Sequence, residues 1–233
     1  MEETKIKLLM KEFVTHDVLR YVFEKPDPGM PSSTFEPGQA TELALDIEEL
    51  KDQWRPFTFT SSPEDSVLEF IIKTYPDHEG VTKRFYELEK GDFVRIKEAF
   101  GTIKYQDKGV FIAAGAGITP FISILRKLKE EGKIKGNFLL FSNKAKEDII
   151  LEKEFRDMFP EGDLILTLTR EDKKEEGYEY GRINREFIGR YVKDFSQNFY
   201  ICGPKIFVKQ IRDILEEEGA KSESVVFEGK QEN

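Results

Sequence analysis

The sequence predicts two domains of different build: an antiparallel β-barrel domain over residues 1–105, then an α/β domain with a parallel sheet over residues 106–233. Three observations predict it. Up to about Tyr105, short apolar segments recur between turns rich in Pro, Gly and Ser, the pattern of a small all-β unit. From Gly109 onward, short apolar runs alternate with amphipathic helical stretches, as in a parallel sheet covered on both faces. At 233 residues, the chain can bury two modest cores or one large one.

In the first half, Lys5–Val14 and Val18–Glu24 alternate like the arms of a hairpin. A loop of Pro26-Asp27-Pro28-Gly29-Met30-Pro31-Ser32-Ser33 follows. Gln39–Ile47, Pro56–Ser61, Val67–Lys73 and Asp92–Lys97 read as four more strands, with a helix over Val81–Leu88. In the second half, the strands are Val110–Ala114, Asn137–Phe141, Leu164–Leu168, Phe199–Ile201 and Ser224–Phe227. Helices are predicted over Pro120–Glu131, Ile150–Met158, Asn184–Tyr191 and Lys205–Glu218.

Composition narrows the function classes. The single cysteine, Cys202, excludes an intrachain disulfide and any four-cysteine iron–sulfur or zinc site. His16 and His78 lie far apart in sequence and outside any ligand-spaced cluster, so no metal site is expected. The start Met1-Glu2-Glu3-Thr4-Lys5 has no basic segment leading into an apolar one. No apolar run approaches the ~18 residues of a membrane span. A soluble, cytoplasmic, monomeric protein is the expectation. The formal net charge of −9 argues against nucleic-acid binding. Lys83–Lys108 nevertheless carries seven basic residues against five acidic, net +2, either an ordinary surface or a docking face for an acidic partner.

Phe111-Ile112-Ala113-Ala114-Gly115-Ala116-Gly117-Ile118-Thr119-Pro120 leaves the first strand of the α/β half and opens its first helix. Gly115 and Gly117 permit a sharp turn and a close backbone approach, free N–H groups and the helix dipole then favour an anion, and Thr119 can add a hydroxyl. Pro120 suits a first helical position. The alternatives are a nucleotide phosphate site and a tight strand–helix turn. It is not the usual dinucleotide fingerprint, because Pro120 replaces the third glycine. Nor does the second strand end in an acidic residue, since it reads Phe141-Ser142-Asn143-Lys144.

Further motifs flank this turn in order. Arg55-Pro56-Phe57-Thr58 opens a strand, Phe70-Ile71-Ile72-Lys73 forms the next, and Glu79-Gly80-Val81-Thr82 enters the first-half helix. Ala99-Phe100-Gly101 closes that half. Thr169-Arg170, Gly181-Arg182, Tyr200-Ile201-Cys202-Gly203-Pro204 and Val226-Phe227-Glu228 follow in the other. Together they resemble the ferredoxin–NADP reductase family, which joins an FAD-binding barrel to an NAD(P)-binding α/β domain, over nearly the whole chain.

The resemblance implies roles for these residues. Arg55 would pair with the flavin pyrophosphate, a task suited to a planar, permanently charged guanidinium. Phe57 would lie against the isoalloxazine ring where the family carries Tyr, and Thr58 would hydrogen-bond near flavin N5. Ile72 and Lys73 would run their backbone along the flavin, while Gly80, Val81 and Thr82 would hold the pyrophosphate from the other side. Arg170 and Arg182 resemble positions that hold the 2′-phosphate of NADP, so the donor is NADP or NAD. Cys202-Gly203-Pro204 would sit beside the nicotinamide. Glu228 matches the family's C-terminal Glu, but Lys230 stands where an aromatic follows, and Ala99 stands where the family has Pro.

The implied activity is hydride transfer from NAD(P)H to FAD, with electrons passed on to a ferredoxin, a flavodoxin or an oxygenase component. Two other readings stand beside it: a reductase of small acceptors such as free flavin or ferric chelates, and a nucleotide-sensing regulatory module without turnover.

Overall fold

The computed structural model describes residues 2–75, 80–101 and 103–227. The expectations for His78, Glu79, Glu228 and Lys230 fall outside them. The chain divides into two compact units, Met1–Gly101 with Thr119–Lys127, and Thr102–Ile118 with Leu128–Asn233.

The first unit holds β1 (Thr4–Phe13), β2 (Val18–Glu24), β3 (Ala40–Leu45), β4 (Arg55–Thr58), β5 (Val67–Lys73) and β6 (Phe93–Ile96), with helix α1 (Val81–Glu87). Its sheet runs β4-β3-β6-β1-β2-β5, antiparallel at every pairing. The edges meet where Phe59 bridges Phe70 and the Thr60 N–H donates to the Glu69 carbonyl at 2.8 Å. This contact ends β4 earlier than the sequence predicts and rolls the sheet into a barrel, leaving no long open edge.

Period-two alternation builds its core. Leu19, Tyr21 and Phe23 of β2 pack with Leu68, Phe70 and Ile72 of β5, around Phe59 and Phe85. Burying each such phenylalanine contributes about 1.5–3 kcal/mol. Phe35 stacks on Phe59 with ring centroids 4.1 Å apart. Tyr21, fully buried, donates its hydroxyl to the Phe85 carbonyl at 2.9 Å and so pins α1. Burial pushes the pKa of that phenol well up.

The second unit is a sheet of six parallel strands: β7 (Gly109–Ala114), β8 (Phe138–Asn143), β9 (Leu164–Leu168), β10 (Glu179–Tyr180), β11 (Asn198–Cys202) and β12 (Val225–Phe227). Helix α2 (Thr119–Glu130) follows β7; α3 (Glu152–Met158), α4 (Arg185–Tyr191) and α5 (Lys205–Glu217) follow later strands. Two-residue β10 is absent from the sequence prediction because so short and polar a segment shows no alternation. Helix α3 starts two residues later than predicted, since Leu151 adopts a left-handed φ of 54° and Ile149 and Ile150 are buried outside the helix. Asn184 caps α4 by accepting the Phe187 N–H at 2.8 Å.

The strand order β10-β9-β8-β7-β11-β12 decides where a ligand would sit. The chain builds outward from β7 through β8 and β9 to β10, then returns to lay β11 on the other side of β7. In open α/β sheets, the crevice beyond the strand C-termini at such a reversal is where ligands bind. Here the reversal lies between β7 and β11.

Helix α2 starts in the second unit's glycine turn, but Thr119–Lys127 group with the first unit. There the Gly38 N–H donates to Ser123 Oγ at 3.0 Å, and Arg126 donates to the Thr60 carbonyl and the Glu69 carboxylate, both at 2.7 Å. No helix among the described residues is long and apolar enough to cross a membrane.

Candidate functional site

In the first unit the candidate residues lie on β4, β5 and α1. Strand β4 is one end of the sheet order and pairs with β3 through Leu43↔Arg55, Glu42↔Pro56, Thr41↔Phe57 and Ala40↔Thr58. An edge position tolerates Pro56, which has no ladder N–H to offer. Arg55 is exposed; its guanidinium donates to the Trp54 carbonyl at 2.8 Å, and among the described residues it forms no ion pair. Phe57 is half-buried, with its ring edge-on to Phe85 at 5.1 Å. The Thr58 hydroxyl, also half-buried, has no hydrogen-bond partner among the described residues.

Strand β5 brings Ile72 into the barrel core, while Lys73 pairs with Asp17 at 2.5 Å. Val81 is buried at the start of α1, and Thr82 is half-buried beside it. A Cβ on Gly80 would meet nothing within 4 Å. Gly80 instead faces a depression lined by Leu50, Gln53, Lys83 and Arg84. An exposed arginine, an unpartnered threonine hydroxyl and an open glycine beside two cations fit an anionic flavin nucleotide.

In the second unit the candidate residues gather at the C-terminal ends of the parallel strands. Gly115–Ile118 forms a 3-10 turn directly after β7. Gly115 has a φ of 53°, in the left-handed region that favours glycine. Gly117 is fixed by packing rather than by dihedral: a Cβ there would lie 2.5 Å from the Cys202 carbonyl oxygen and 2.6 Å from the Gly203 Cα. The turn after β7 and the turn after β11 are thus in backbone contact at the reversal point. Gly203 is confined in its turn, because a Cβ would lie 2.8 Å from the Phe207 ring. Cys202 is buried and opposite Ala113 in register. Ile118 and Pro120 are buried and Thr119 half-buried. Helix α2 begins at Thr119, one residue before the predicted start.

Twelve residues apart in sequence, Arg170 and Arg182 are brought to neighbouring strand ends. Leu168 of β9 pairs with Tyr180 of β10, so each arginine lies two residues beyond that pair. The Gly181 N–H donates to the Leu168 carbonyl at 2.9 Å, and Thr167 Oγ1 donates to the Gly181 carbonyl at 2.7 Å, locking the two ends together. Both arginines are exposed and form no ion pair among the described residues. Sequence reasoning missed Asn143, a buried amide ending β8. Its signal was a carboxamide closing the otherwise apolar run Phe138-Leu139-Leu140-Phe141.

Comparison with known proteins gives two domain matches. Residues 5–105 match the oxidoreductase FAD-binding domain model, and residues 111–213 match the oxidoreductase NAD-binding domain model. NADH-cytochrome b5 reductase 2 of Mycosarcoma maydis is 25% identical over 236 residues, covering 94% of this chain and 67% of that protein. The CS-b5R domains of human Ncb5or, in an NAD+ form, superpose with a TM-score of 0.83 at 24% identity, over 97% of this chain and 69% of that one. A ferredoxin NADP+ reductase from Neisseria gonorrhoeae with bound FAD and NADP superposes with a TM-score of 0.81 at 19% identity, over 97% of this chain and 98% of that one. With both domain models in the order its two units display, the chain belongs to the ferredoxin–NADP reductase-like family of FAD-containing, NAD(P)H-dependent flavin oxidoreductases.

Proposed function

We infer that this oxidoreductase passes electrons from NAD(P)H to a separate one-electron redox protein, a cytochrome b5-type haem protein first. The observation that carries the acceptor is the likeness, across 94% of the chain, to a protein named as an NADH-cytochrome b5 reductase. Ferredoxin, flavodoxin or an oxygenase component is the second reading. It is favoured by the paired Arg170 and Arg182, because two unpaired guanidiniums suit the 2′-phosphate of NADP rather than NAD. A cytoplasmic, monomeric protein belongs to the same proposal.

FAD held here would supply the chemistry that turns a hydride donor into a source of single electrons. The chain's own residues bind, orient and hold. Arg55 would take the flavin pyrophosphate in bidentate hydrogen bonds, with Gly80, Val81 and Thr82 opposite it. Pro56 would stiffen the strand that sets Phe57 against the ring, while Ile72 and Lys73 would offer backbone groups alongside. Thr58 would offer its hydroxyl, without a partner among the described residues, to the ring's reactive edge. Gly115, Gly117, Ile118, Thr119 and Pro120 would shape the phosphate-binding turn for the dinucleotide. Cys202, Gly203 and Pro204 would fix the nicotinamide, and Glu228, outside the described residues, is a catalytic candidate by the family resemblance alone.

The test is steady-state reduction of oxidised cytochrome b5, ferredoxin, flavodoxin, free flavin and ferric chelate by the FAD-loaded protein, each with NADH and with NADPH. Cytochrome b5 should be reduced with the highest kcat/KM. A preference for free flavin or ferric chelate would overturn the protein-acceptor reading. A flavin-loaded protein that binds nucleotide but reduces nothing would favour the sensing module.

A further inference from the structure

Asn143 is 4% exposed, and neither its Nδ2 nor its Oδ1 has a hydrogen-bond partner among the described residues. An unsatisfied buried carboxamide costs on the order of 1–3 kcal/mol per lost bond, so its persistence needs a reason. Asn137, the other buried side-chain amide among the described residues, is satisfied. Asn137 Oδ1 accepts the Gly109 N–H at 3.2 Å, and its Nδ2 donates to the Lys133 and Ile134 carbonyls.

Its place in the sheet suggests what the amide is for. Ser142 pairs with Ala114 of β7, so Asn143, one residue on, lies level with Gly115, which has no side chain. On its other side it pairs with Leu168 of β9, and its carbonyl accepts both the N–H and the Oγ1 of Thr169, at 3.0 and 3.1 Å. Neighbouring strands are about 4.8 Å apart. The amide therefore stands one strand from the glycine turn and one strand from the segment leading to Arg170. If the turn holds a diphosphate and the arginines a 2′-phosphate, the moiety crossing β8 between them is the adenosine ribose.

We propose that Asn143 binds the adenosine ribose of the nicotinamide nucleotide, pairing its carboxamide with the 3′-hydroxyl. A hydroxyl both donates and accepts, which matches an amide with a free donor and a free acceptor. The proposal rests on the nucleotide site read above, and it adds a specificity-determining residue there.

Titration calorimetry with 5′-ADP and 3′-deoxy-ADP, on the FAD-loaded wild type and on Asn143→Leu, tests it without turnover. Wild type should bind 5′-ADP about tenfold more tightly than the 3′-deoxy analogue. Asn143→Leu should bind the two alike, at the weaker level, with the thermal midpoint of the ligand-free protein held or raised. Equal wild-type affinities for the two ligands would overturn the proposal, whether or not the variant folds. So would a variant that weakens both ligands by the same factor, or neither. Wild type binding neither these ligands nor NAD+ or NADP+ would instead overturn the nucleotide site itself.

Discussion

The Cα of Gly117 packs against the peptide carbonyl of Cys202, so closely that a Cβ would lie 2.5 Å from the oxygen. Both partners are backbone, and neither can rotate away. Gly117→Ala should therefore push apart the turns after β7 and β11. Overpacking of this kind costs about 1–3 kcal/mol, or about 2–12 °C in Tm for a chain of this length. Because Cys202 moves with its carbonyl, nucleotide binding should weaken as well. Gly115→Ala is the control: nothing lies within 4 Å of its Cβ, so only the left-handed dihedral is strained. A Gly117→Ala protein with wild-type Tm and wild-type affinity for NADP+ would refute the contact's importance.

Arg55→Ala should weaken FAD binding about 10- to 100-fold, the worth of charge-assisted bonds to phosphate. Its side chain is exposed and among the described residues it bonds only to the adjacent Trp54 carbonyl, so the apoprotein's far-UV circular dichroism and Tm should not change. Flavin fluorescence on release measures the affinity. Loss of fold together with loss of flavin would reassign Arg55 to structure.

Much of this was legible beforehand, for physical reasons. Strand β5 is read over the same span, Val67–Lys73, because Leu68, Phe70 and Ile72 alternate toward one core. The glycine turn is legible from its strand–turn–helix context. What sequence could not show were contacts made by folding. Nothing local in Gly117 reports that the Cys202 backbone abuts it. The resemblance already groups Arg170 with Arg182, but their nearness in space depends on two-residue β10, whose pairing with β9 is a tertiary fact. Asn143 reads as a polar strand end until its burial is known.

Arg170→Ala and Arg182→Ala should each lower kcat/KM for NADPH about tenfold and leave NADH nearly unchanged, since only NADPH brings a 2′-phosphate to the paired strand ends. Initial rates with both donors measure it. Equal losses for the two donors would mean that the arginines hold the fold or the diphosphate instead.

Glu64 gives a pH test. The Lys127 ammonium donates to its carboxylate at 2.6 Å, and with the Ser62 hydroxyl it lowers the Glu64 pKa from 4.5 to about 2. A depressed folded-state pKa contributes stability above the unfolded value, lost as pH falls from about 4.5 toward 2. The pair is exposed, so Tm should barely move in Lys127→Met. The titration should move instead: carboxyl NMR should show Glu64 protonating closer to 4.5 in the variant. An unmoved titration would assign the shift to Ser62.

Thr58 and Cys202 separate turnover from sensing. Thr58→Val keeps the shape of the β4 edge but deletes a hydroxyl that has no partner among the described residues, so the fold loses no hydrogen bond. FAD should still bind. Cys202→Ala removes one buried sulfur opposite Ala113, a small core truncation costing about 1–2 kcal/mol, and keeps the carbonyl against which Gly117 packs. In both variants, flavin bleaching by saturating NAD(P)H should slow about tenfold, equivalent to about 1.4 kcal/mol of lost alignment or hydrogen bonding in the chemical step. Stopped-flow absorbance reads this directly, with flavin content and Tm measured on the same samples. Because saturating donor removes the effect of weaker binding, a slower limiting rate belongs to orientation and chemistry. Unchanged limiting rates in both variants would remove Thr58 and Cys202 from the reaction while leaving the cofactor sites standing. A wild type that binds flavin and nucleotide yet never bleaches would make this chain a sensor built on a reductase fold.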